Sequence, residues 1–143
     1  MKRRLVILVL GVAFLVAITW LGTFVTNYSV PHLTPQVQTT QVGIYTVTLR
    51  VAPNPPSIEQ PATLSIQIQQ TTSHQPVSNL QVSVNGAMGE MDMSTPSMPA
   101  RGQGAGTYIA RVPLSMSGSW QIQVLISTPG QPVWNAVFTV ATQ

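Results

Sequence analysis

The sequence predicts an all-β protein: an immunoglobulin-like antiparallel β-sandwich of six to seven strands, preceded by one N-terminal transmembrane helix. Three observations lead there. Apolar and polar residues alternate with a period of two in six separate runs after residue 43. Twelve Pro and ten Gly punctuate the chain, many of them between those runs. Ahead of them stands one uncharged apolar stretch of about 21 residues, the length of a membrane span. At 143 residues there is room for one hydrophobic core and a short appendage, not for two folded domains.

The apolar stretch runs from Leu5 to Val25, LVILVLGVAFLVAITWLGTFV. At a helical rise of about 1.5 Å per residue it spans a hydrocarbon core of about 30 Å. Lys2, Arg3 and Arg4 precede it, and the positive-inside rule holds them in the cytoplasm and places everything after the span on the far side. Trp20 and Tyr28 suit interfacial anchoring. Two fates are open to the segment: a retained signal anchor over 1–26, or a cleaved secretory signal that releases a secreted domain. Its length exceeds the roughly 7–15 apolar residues of a secretory signal, and no A-x-A-like site follows, which favours the anchor. No Cys follows it, which excludes a lipoprotein. Both fates put the C-terminal domain outside the cytoplasm.

Residues 27–42, NYSVPHLTPQVQTTQV, are polar and interrupted by Pro, which predicts a linker between the anchor and a domain over 43–143. In GIYTVTLRVA, Tyr45, Val47, Leu49 and Val51 share one strand face. PNPPSIEQP breaks that strand, and Leu64, Ile66 and Ile68 mark the second. A turn around Ser73 to Pro76 leads to NLQVSV, where Leu80, Val82 and Val84 alternate. An irregular stretch bearing Gly and Pro follows, long enough for a seventh strand. Tyr108, Ala110, Val112 and Leu114 then mark the fourth strand, and Ser117-Gly118 turns into Trp120, Ile122, Val124 and Ile126. After STPGQP, Trp134, Ala136, Phe138 and Val140 supply the last inward face. Regular spacing with no helical pattern between the runs is the mark of a sandwich.

Composition excludes several functions. Only 6% of residues are charged, against about a quarter in soluble proteins, so Gln, Thr, Ser and Asn supply the polarity. The pI near 10 suggests nucleic acid, yet half the cations precede the apolar stretch. Arg50, Arg101 and Arg111 balance Glu59, Glu90 and Asp92, so the domain carries no net charge and no nucleic-acid partner is expected. With no Cys there are no disulfides, thiolate metal sites or Cys nucleophiles. Glu90 and Asp92 flank Met91 but lack a third catalytic group. Gly102-Gln103-Gly104-Ala105-Gly106 follows no strong strand and opens no helix, unlike a phosphate-cradling loop. No enzyme is expected.

The methionines are the unusual feature. Apart from the initiator they are Met88, Met91, Met93, Met98 and Met116, four of them within AMGEMDMSTPSMP. Thioether sulfur is soft and uncharged, suits Cu(I), and binds without losing a proton or forming a disulfide. Met91 and Met93 are two apart, which on a strand puts both sulfurs on one face, and Met98 folds back over them across Pro96. The expected ligands are Met91, Met93 and Met98, with Met88 as a fourth. The other reading is packing, since flexible Met fills uneven gaps in a core. If consecutive strands alternate direction, the turn holding Met116 lies at the opposite end from the loop holding Met98, and His74 is as badly placed.

The order of pieces from Gly43 to about Leu125 resembles the YtkA-like domain, a module of bacterial membrane-anchored or secreted proteins. It is similar in appearance to the FixH family and to copper-binding CopC-like sandwiches. The resemblance rests on G-I-Y-T-V-T-L, L-S-I-Q-I, P-V-S-N-L-Q-V-S-V, the Met stretch, and then G-T-Y-I-A-R-V-P-L-S-M-S-G-S-W-Q-I-Q-V. It implies an immunoglobulin-like fold, with Tyr108, Gly118 and Trp120 as structural residues, and copper as the metal of Met-rich members. Such members often carry His beside Met. Here Ser97 stands before Met98 and Ala100 after Pro99, so a site would be all-thioether.

Two functions therefore follow. One is a membrane-anchored domain that binds or delivers Cu(I), with a copper-handling protein of the envelope as partner. The other is a non-catalytic structural or protein-interaction module of the cell envelope, with Met used for packing.

Overall fold

The computed structural model describes residues 11, 13–16, 18–19, 34–89 and 91–143. The chain divides into two units, Met1–His32 and Leu33–Gln143. In the first, the described residues are helical, with Phe14, Leu15, Val16 and Ile18 exposed. The Thr19 hydroxyl donates to the Leu15 carbonyl one turn back, at 2.7 Å. The rest of the membrane span expected over 1–26 lies outside the described residues. Among the described residues no helix is long and apolar enough to cross a membrane.

The second unit is all-β. Its strands are β1 (Val37–Val42), β2 (Tyr45–Ala52), β3 (Ala62–Gln70), β4 (Gln81–Met88), β5 (Met93–Ser94), β6 (Met98–Pro99), β7 (Arg101–Gly104), β8 (Thr107–Val112), β9 (Gly118–Ser127) and β10 (Trp134–Thr142). The first sheet has the order β1-β2-β3-β8-β7, and the second has β10-β9-β4-β5 with β6 also paired to β4. Every pairing is antiparallel. The inward positions of the six predicted runs form one core, in which Leu49, Leu64, Ile66, Trp120, Ile122 and Ile126 are fully buried. Each such side chain contributes roughly 1.5–3 kcal/mol by leaving water.

Three local devices make the sheets fit. Gly86 occupies an inward position of β4, and a Cβ there would lie 3.2 Å from the Trp120 ring, so the missing side chain makes room for the indole. The Trp120 Nε1–H donates to the Met116 carbonyl at 3.0 Å, satisfying a buried donor. The Tyr108 hydroxyl donates to the Val77 carbonyl at 3.0 Å and accepts from the Leu80 N–H at 3.1 Å, which ties the β3–β4 connection to β8.

The structure corrects the expected strand pattern in three places. Among the described residues there are ten strands, not six to seven. The expected linker over 27–42 contains β1, which pairs with β2 from Val37↔Arg50 to Val42↔Tyr45. VQTTQV lacks alternation because an edge strand has no fully buried face; the Thr39 and Thr48 hydroxyls share a hydrogen bond of 3.0 Å across its register with β2, and Gln38 Nε2 donates to the Thr139 carbonyl of β10 at 2.6 Å. The third predicted strand also runs on to Met88, its pattern hidden because Gly86 holds an inward position.

The irregular stretch after it holds β5, β6 and β7, which together form one broken edge strand that leaves the second sheet and joins the first. Thr95 bridges the break: its N–H donates to the Gly86 carbonyl at 2.7 Å, and its hydroxyl accepts from the Gly86 N–H at 2.8 Å. Because this extra strand reverses direction once, β4 and β8 run the same way.

Candidate functional site

That shared direction decides where the sulfurs lie. β4 ends on Met88, whose side chain turns inward and is 4% exposed. The chain reverses between Met88 and Met93 and returns as β5, with Met93 directly opposite Met88. Met91 sits in the reversal, its N–H donating to the Met88 carbonyl at 3.3 Å. Asp92 takes a positive φ of 44°, a conformation that the short polar residues adopt most readily after Gly. Met91 and Met93 are 55% and 38% exposed. Glu90 lies outside the described residues.

Across from this hairpin is the turn into β9. A Cβ on Gly118 would lie 2.8 Å from the Met88 Cε, so the two segments touch. Met116, two residues earlier, packs against the core, while its carbonyl accepts from Trp120 and, at 2.6 Å, from the Thr142 hydroxyl. Met88, Met91, Met93 and Met116 thus gather at one end of the sandwich. The expectation that Met116 lies at the far end assumed six alternating strands, and one more reversal overturns it.

Two other expectations need correction. Met91 and Met93 do not share a strand face, because the reversal falls between Met88 and Met93. Met98 does not fold back over them: it stands opposite Val84, four residues before Met88, which is about 13 Å along β4. Met98 instead lines a groove of about 550 Å³ with Arg101 and Arg111. His74 is in the turn after β3, where β4 begins and the methionine hairpin does not.

The donors described at this end are the four thioethers and the Asp92 carboxylate in the hairpin. Among the described residues no group of three His, Cys, Asp or Glu side chains could hold a metal ion. Thioether sulfur is a soft, uncharged donor. The signal for Met116 was in the sequence: a seventh strand inside the irregular stretch inverts every later direction.

A family model, YtkA-like, matches residues 39–125. The chain belongs to the YtkA-like family. The match begins within β1 and ends in β9, so the YtkA-like core includes the methionine hairpin and the broken edge strand. No curated protein matches this YtkA-like chain. A solved structure similar to it is a DUF4426 family protein from Pseudomonas aeruginosa PAO1, 11% identical, with a TM-score of 0.49, covering 76% of this chain and 98% of that one.

Proposed function

We propose that this YtkA-like chain is a membrane-anchored, extracytoplasmic, non-catalytic domain that binds Cu(I) as cargo at the methionine-bearing end of its sandwich. One observation carries the reading: Met91 and Met93 are exposed on a hairpin whose opposite strand presents Met88, with Met116 in the neighbouring turn. Met91 and Met93 are the accessible ligands, Met88 lies beneath them, and Met98 is not part of the set. Sulfur ligands on a short hairpin suit cargo that must be released to a copper-handling partner in the envelope. The anchor is supported by the uncharged run from Leu5 to Val25 and the three cations ahead of it.

The test is Cu(I) titration of the full chain in phosphatidylcholine nanodiscs against a chromogenic chelator. Saturable binding lost in Met91→Leu/Met93→Leu and kept in Met98→Leu is expected. Binding no stronger in the native chain than in the Met91→Leu/Met93→Leu variant overturns the reading.

A second reading is favoured by the packing of Met88 and Met116 into the core: a protein-interaction module that docks through the exposed Met91 and Met93. Leucine at those two positions keeps docking and removes sulfur. A partner captured equally by native and leucine forms, with no Cu(I) bound by either, selects the second reading.

A further inference from the structure

The three cations and three carboxylates of the domain cancel in the sequence, but the fold separates the cations. Arg50 lies between buried Leu49 and Val51 on β2, and Arg111 between buried Ala110 and Val112 on β8, so both point to the outer face of the first sheet. Arg101 on β7 pairs with Ile109, which alternation also places on that face. The described carboxylates are elsewhere: Glu59 in the β2–β3 connection and Asp92 in the hairpin.

Two of these cations share a groove. Arg101 and Arg111 line a depression of about 550 Å³ with Met98, Pro99, Gln103 and Ile109, where the broken edge strand crosses between sheets. Arg111 is two residues past the partner of Arg101, a diagonal separation of roughly 7–8 Å, which lets both guanidinium groups reach one anion. We infer that this groove binds the phosphate group of an amphiphilic phosphate ester. Two guanidinium forks offer the paired donors and the double positive charge that a phosphate monoester dianion needs, whereas a carboxylate monoanion balances only one of the two charges. Met98, Pro99 and Ile109 provide an apolar wall for the organic part. The volume is that of an ordinary small-ligand site, roughly 300–1,000 Å³. The groove is distinct from the methionine hairpin and does not depend on copper.

The probe is 1-naphthyl phosphate, titrated calorimetrically into the full chain in phosphatidylcholine nanodiscs. Saturable binding is expected, at least tenfold tighter than 1-naphthoate. Arg101→Gln/Arg111→Gln is expected to weaken it at least tenfold and Arg50→Gln to leave it within twofold, with unchanged melting of both variants. Arg101→Lys/Arg111→Lys keeps the charge and removes the forks, so severalfold weakening is expected there too. Displacement of the probe by discs containing phosphatidic acid identifies a lipid headgroup as the source, and its absence identifies a soluble ester; both uphold the phosphate site. Equal affinity of the native chain and the glutamine pair, or naphthoate binding as tight as the phosphate, overturns the inference.

Discussion

The Met88 methyl group lies where a side chain on Gly118 would begin, 2.8 Å from an ideal Cβ at that position. The last residue of β4 and the first of β9 therefore fit only because one has a long flexible side chain and the other has none. This contact holds the methionine hairpin against the turn that carries Met116, and through the Met116 carbonyl it adjoins the bonds from Trp120 and Thr142.

Gly118→Ala should destabilise the domain by about 1–3 kcal/mol, from overpacking and from a φ of +135° that L side chains rarely adopt. Urea unfolding of Gly118→Ala, Met88→Ala and the double variant measures the coupling. Met88→Ala removes the clash but not the φ strain, so the double loss should fall below the sum of the single losses. Strictly additive losses would show that the contact is not the cause.

Tyr108→Phe should cost about 1–3 kcal/mol while keeping the fold, because the ring stays buried and the Leu80 N–H and Val77 carbonyl lose their shared partner. Hydrogen exchange should quicken at the Leu80 amide first. An unchanged midpoint and unchanged exchange there would refute the role given to the hydroxyl.

Gly43 and Gly130 separate steric fit from backbone strain. Both have positive φ, +55° and +78°, but a Cβ at Gly43 would meet the Trp134 ring at 2.5 Å, whereas Gly130 has nothing within 4 Å. Gly130→Ala should cost about 1 kcal/mol, and Gly43→Ala about 1–3 kcal/mol more as the ring is displaced. Similar melting temperatures for the two variants would mean that Trp134 yields freely.

Mild peroxide should oxidise Met91 and Met93 well before Met88, since sulfoxide formation follows exposure. Peptide mass spectrometry of the intact folded protein gives the order. Oxidation of Met88 at the same rate would place it in solvent and contradict the packed hairpin.

Much of the sandwich was legible as period-two alternation. Val47, Leu49, Leu64, Ile66, Ile122 and Val124 are inward as read, because each lies in a strand buried on one face and exposed on the other. Where that contrast fails, the reading fails. β1 is an edge strand without a buried face, and β4 loses its pattern at Gly86, where Trp120 supplies the bulk that β4 lacks. The short strands from Met93 to Gly104 are stabilised by pairing and by Thr95 rather than by their own composition.

The sequence alone determined the all-β class, the six main strand faces, the apolar N-terminal run and the concentration of sulfur after the third predicted strand, because burial on one face imprints itself locally. Only the tertiary structure decided which methionines meet and which cations share a groove. Both depend on strand direction and register, set by one broken edge strand that crosses from sheet to sheet. A single added reversal moves Met116 beside Met88, leaves Met98 about 13 Å away, and sets Arg101 diagonally from Arg111. Pairing energies of distant segments fix that reversal, and no local pattern records them.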